Sequence, residues 1–152
     1  MKAKDLTKEP PRSPRVRIRD YAILARAIDK ARAELAGTAG EYHFDCPLDR
    51  TLFAFKGITG EEFLQQVRHG RSDEELGIWV DEQGLPKTPE EIRAWSDSME
   101  TYCLYNNMEK RASFVEECHK LGLNPAKTTL FEWLEADDQA SHPSSMETSR
   151  IE

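Results

Sequence analysis

No stretch of this 152-residue chain approaches the ~20 consecutive apolar residues that a membrane-spanning helix needs. The opening MKAKDLTKEPPRSP is basic but has no apolar core behind it, so it does not read as a secretory leader. Cysteine is scarce. Cys46, Cys103 and Cys118 are an odd number with no CxxC pair, which excludes a disulfide scaffold and suits a reducing compartment. The expectation is a soluble, cytoplasmic protein. No phosphate-binding glycine loop, dinucleotide fingerprint, HExxH or GxSxG occurs, so the chain carries none of the common catalytic signatures. Strand signals are missing too. Nothing alternates long enough to build a sheet, and no Asn-Gly or Asp-Gly hairpin appears.

What is present is charge. Charged residues make up 32% of the chain and hydrophobic residues 38%, enough for one modest core under a well-solvated surface. The net charge of −7 is unevenly placed. Residues 1–19 hold seven basic residues against Asp5 and Glu9, a local +5 that leaves −12 for the remainder. Such an arm is able to meet phosphates, but no nucleic-acid motif accompanies it and the acidic body repels a polyanion. Nucleic-acid binding is therefore not expected; the arm is expected to lie along its own body.

The hydrophobic pattern is helical. Pro10, Pro11 and Pro14 keep residues 1–19 extended, and Asp20 then reads as an N-cap. Apolar residues from Tyr21 to Leu35 recur at helical spacing, with Gly37 suited to the C-terminal cap. Pro47 reads as the first residue of a short helix that carries Leu48, Leu52 and Phe55 and ends at Gly57. Capping boxes follow at Thr59/Glu62, Ser72/Glu75, Thr88/Glu91 and Thr129/Glu132, each predicting a helix start. Asn106-Asn107 is expected to break the long pattern that runs on through Met108, Val115, Cys118 and Leu121 to Gly122. Trp79, Trp95 and Trp133 fall at core-facing positions and read as packing. The fold class is all-α, six or seven short helices in a compact bundle. The expected organisation is an extended arm over 1–19, one helical domain over 20–136 and a polar, Ser-rich, disordered tail over 137–152.

The densest chemistry lies in EYHFDCPLDR, residues 41–50. Cys46 next to Pro47 sits at a helix N-terminus, where the backbone dipole favours a thiolate. His43 is the candidate base and Asp49 or Asp45 the candidate orienting carboxylate, giving a candidate catalytic set of His43, Cys46 and Asp49. Asp45 and Asp49 oppose that use, because nearby negative charge disfavours a thiolate. Glu41, Asp45 and Arg50 are candidate binding residues. A metal site is not expected, because His43, Asp45, Cys46 and Asp49 lack the paired spacing of zinc ligands, and Cys118-His119 lies on a distant helix. No cofactor is implied. The structural alternative makes Asp45 a cap, buries Tyr42, Phe44, Leu48 and Leu52, and pairs Arg50 or the arm with Asp49 or Glu41. If 41–46 is extended, Glu41, His43 and Asp45 face one way and Tyr42, Phe44 and Cys46 the other. The thiol then meets the histidine only if the chain bends at Asp45.

DLTKEPPRSPR at 5–15, LARAIDKAR at 24–32 and GEYHFDCPLDR at 40–50 resemble a small bacterial family known as a domain of unknown function. The likeness continues more loosely to about Glu135. It implies no activity, cofactor or catalytic residue. The expected role is a small binding or interaction protein without catalysis, with a Cys46 enzyme as the alternative. Partner and oligomeric state are not written in the sequence.

Overall fold

The computed structural model describes residues 3–143. They form seven α-helices and one isolated β-bridge, so the all-α expectation holds. The helices are α1 (Leu24–Ala36), α2 (Pro47–Lys56), α3 (Gly60–Arg68), α4 (Asp73–Glu82), α5 (Pro89–Thr101), α6 (Arg111–Lys120) and α7 (Leu130–Ser141). None is long and apolar enough to cross a membrane. The chain divides into two compact units, Met1–Ser96 and Asp97–Glu152.

The capping boxes form as the sequence indicates. Thr59, Ser72, Thr88 and Thr129 each accept from the backbone N–H of the glutamate three residues on, and each glutamate accepts from the cap's own N–H. These backbone and side-chain hydrogen bonds hold the Glu75 and Glu91 carboxyls below the usual glutamate range.

In the first unit α1 is the central element, packed against α2, α3 and α4. Leu24, Ala25, Ala27, Ile28 and Ala31 are fully buried, and so, nearly, are Arg26, Asp29 and Lys30. Charges survive there because partners arrive from three directions. Arg12 grips Asp29 through Nε and Nη2, both at 3.0 Å, and its backbone N–H adds a bond of 2.8 Å to the same carboxylate. Arg12 Nη1 also reaches Asp73, which Arg32 pairs from α1. Lys30 meets Asp49 of α2. Leu6 is buried and donates its N–H to the Thr38 carbonyl. The remaining core is aromatic: Phe44, Phe53 and Phe63 have ring centroids 5.2–6.1 Å apart, and Trp79 joins Phe63 at 6.3 Å.

Asp20 does not cap α1. Arg19 and Asp20 have φ of +50° and +68° and form a two-residue turn between Ile18 and Tyr21, whose backbones bond each other. The helix starts three residues later than the periodicity suggests, after Ile23 at φ +76°. Distant groups hold this entry. The Ile23 N–H bonds the Pro14 carbonyl, and the Ala22 N–H bonds the Ser96 hydroxyl, which donates to the Asp20 carbonyl. A left-handed β-branched residue costs about 1–3 kcal/mol and persists only where its surroundings over-determine it.

In the second unit a 3₁₀ turn at Leu104–Asn106 separates α5 from α6, at the break expected near Asn106. Met108 falls outside α6 and is 82% exposed, so it does not continue the apolar stripe. The last helix runs to Ser141, beyond the expected boundary at Ala136, with Asp138 buried in its last turn. Residues 144–152 of the expected tail lie outside the described residues.

Candidate functional site

Residues 41–46 turn rather than run as an extended strand, and α2 begins directly after them at Pro47. Asp45 takes φ +60°, a conformation aspartate tolerates better than most residues, and its N–H donates to Asp49 Oδ2 at 3.0 Å. The bend sends Phe44 into the aromatic core and leaves Cys46 as the residue flanking α2. The Asp45 carboxylate lies against Gly60, the first residue of α3, and a Cβ there would push that carboxylate aside.

The residues that meet are Cys46, Asp49 and Lys30, the last of which the sequence reading did not single out. Lys30 Nζ lies 2.9 Å from Asp49 Oδ2 and 3.2 Å from Cys46 Sγ. The Lys30 and Asp49 side chains are 5% and 0% exposed, while Cys46 is half-buried. Asp49 Oδ1 is buried without a hydrogen-bond partner. Asp49 thus pairs with α1, and among the described residues neither Arg50 nor the arm forms an ion pair with it; Arg50 lies 3.5 Å from Asp45 instead. His43 and Glu41 are exposed, and no hydrogen bond joins His43 to Cys46 among the described residues. No group of three or more His, Cys, Asp or Glu that could hold a metal occurs among the described residues.

A second constellation, which the sequence reading missed, surrounds the strained entry to α1. A cleft of about 330 Å³ is lined by Arg19, Asp20, Asp81, Lys87, Pro89 and Ile92. Asp81 accepts from Arg19 Nε at 2.6 Å and from the Tyr21 hydroxyl at 2.7 Å. Arg19 also pairs with Glu74, and Asp20 faces Arg93 at 3.5 Å. These bonds to Asp81 and Glu74 raise the Arg19 pKa; burial and then the Asp81 contact raise that of Tyr21. Behind them Lys56 is fully buried, its ammonium donating to the Asp81 and Leu85 carbonyls. Burial pushes the Lys56 pKa down. Gly84 lets the following loop close on α2, since a Cβ there would run into the Lys56 carbonyl. Lys87 differs from its neighbours. Its ammonium sits 4.7 Å from the Phe55 ring, itself stacked on Trp95, and it makes no hydrogen bond or ion pair among the described residues.

The second unit has its own cleft, about 300 Å³, with Leu104, Phe114 and Trp133 among its lining residues and Glu109, Lys110 and Glu117 beside them. The Trp133 indole nitrogen is buried without an acceptor.

No curated protein matches the chain. A family profile matches residues 8–140, nearly the whole chain, so the arm from Lys8, the central helix, both constellations of the first unit and most of α7 fall inside it. The chain belongs to the family described as Domain of unknown function (DUF5069).

Proposed function

We propose that the chain is a small binding protein without catalysis, whose ligand is a small carboxylate with an aliphatic body held in the Arg19–Lys87 cleft. The observation that carries this reading is Lys87. Every other charged residue lining that cleft already has an ion-pair partner, so the unspent charge at its rim is one ammonium. Pro89 and Ile92 supply an apolar wall. The strained turn at Arg19–Asp20 keeps the opposite wall rigid, as ligand clamps commonly are. The three free cysteines suit the cytoplasm of a bacterial cell.

Butyrate and succinate should raise the thermal midpoint in a concentration-dependent way, as any ligand of the folded state does, and butylammonium should not. Lys87→Met should abolish that shift while leaving the midpoint of the free protein nearly unchanged. A shift that survives in Lys87→Met, or no shift with either carboxylate, rejects the reading.

The alternative is an enzyme with Cys46 as nucleophile, His43 as base and Asp49 as orienting group, with Glu41, Asp45 and Arg50 contacting substrate. The contact between Lys30 and the thiol supports it. It requires Cys46 to react with iodoacetamide faster than Cys103 and Cys118, and His43→Ala to slow that reaction. Independence from His43 rejects it.

A further inference from the structure

Lys30 and Cys46 are the one lysine–cysteine pair in hydrogen-bond contact among the described residues, at 3.2 Å. We propose that this pair is a peroxide-dependent modification site that closes to a sulfur–nitrogen cross-link between α1 and the start of α2. Three features assemble the chemistry. Cys46 is half-buried rather than enclosed, which suits attack by a molecule as small as hydrogen peroxide. The amine is already placed against the sulfur and held by a salt bridge to Asp49. Asp49 is fully buried, and its Oδ2, 2.9 Å from the amine, is the place for the proton that Lys30 must lose.

The sequence of steps balances. The Cys46 thiol attacks one peroxide oxygen; the S–O bond forms, the O–O bond breaks, and water leaves, giving the sulfenic acid. The Lys30 ammonium passes a proton to Asp49, and the neutral amine attacks the sulfenyl sulfur. The N–S bond forms and the S–O bond breaks, with the hydroxyl leaving as water with the second amine proton. One thiol, one amine and one hydrogen peroxide yield one sulfenamide and two waters. This is the condensation that sulfenic acids undergo with backbone nitrogen, here directed to a side chain. The other thiols lack such an amine. Cys103 faces the Thr128 and Pro125 carbonyls, and Cys118 is buried, which pushes its pKa up.

The test is tryptic peptide mapping of the full chain by mass spectrometry after hydrogen peroxide treatment. The expected product links the Lys30 and Cys46 segments, is two hydrogens lighter than the unlinked pair, blocks tryptic cleavage after Lys30, and reverts with dithiothreitol. Lys30→Arg keeps a cation for Asp49 but removes the amine; its Cys46 should form no link and proceed to the sulfinic acid. Cys46→Ser should restore cleavage after Lys30 under peroxide. A circular-dichroism melt of each variant checks that it folds. The proposal is overturned if wild-type Cys46 reaches the sulfinic acid as fast as in Lys30→Arg with cleavage after Lys30 intact, or if Cys46 resists oxidation in the folded chain. A linked product that retains an extra oxygen overturns the sulfur–nitrogen assignment.

Discussion

The two compact units solve the same packing problem with different materials. In the first, the buried set includes Arg26, Asp29, Lys30, Asp49 and Lys56 beside a long hydrophobic list. In the second, Phe114, Cys118 and Phe131 are the buried hydrophobics among the described residues, with Thr128, Asp138 and His142 as the buried polar ones. Each unit has a cleft of similar volume. The first is walled by a left-handed turn and ion pairs that fix its charges; the second lies along α6 and α7 with an unpaired indole N–H. Volume alone does not make a site. On the reading proposed above, preorganised charge does, because ion pairs fix every charge lining the first cleft except Lys87.

The comparison is most open to attack at the buried pair. Lys30→Met leaves the Asp49 charge buried without a counter-ion, and the expected loss is about 3–5 kcal/mol in urea unfolding. A Lys30→Met/Asp49→Leu double variant should recover much of that, since a buried pair replaced by apolar groups is often neutral. If the single variant costs no more than an exposed pair does, the first unit does not depend on its internal charges.

Acid separates the units next. Burial raises the Asp73 pKa, but hydrogen bonds and charge from Arg12, with Arg32 behind them, outweigh it and hold the carboxyl below 3.8. A carboxyl lowered by folding stabilises fully above its unfolded value and loses that contribution as pH falls through the folded one. Thermal melts should therefore show the first unit weakening as pH drops below 3.8, and Arg12→Ala should flatten that dependence. The smallest effect should not discriminate at all. Thr59→Ala in the first unit and Thr129→Ala in the second each remove a capping-box acceptor and should each cost about 1 kcal/mol. Unequal costs would mean that one helix start is held by something other than its cap.

What the sequence displays is what lies within a few residues. Capping boxes, Pro47 at the start of α2 and glycines at Gly37 and Gly57 act over three or four positions, and each sits where its pattern puts it. The start of α1 fails as a local reading because its determinants, Pro14 and Ser96, are far away in sequence. Arg19-Asp20 carries none of the Asn-Gly or Asp-Gly signature of its turn, so the wall of the cleft was invisible. In EYHFDCPLDR the position of the thiol beside the helix start was legible from Pro47. The bend at Asp45 was legible only as a question, since its anchor, Asp49, is held in turn by Lys30 on another helix. A lysine amid an alanine-rich helical stripe gives no sign that it turns inward to a partner.

The central claim is that the polar cleft of the first unit binds a small carboxylate through Lys87. Amide chemical-shift mapping of the whole chain during titration with succinate tests it directly. The account predicts saturable shifts at Arg19, Asp20, Asp81 and Lys87 through Ile92, lost in Lys87→Met. Shifts confined to residues 104–133, or none that saturate, would contradict it.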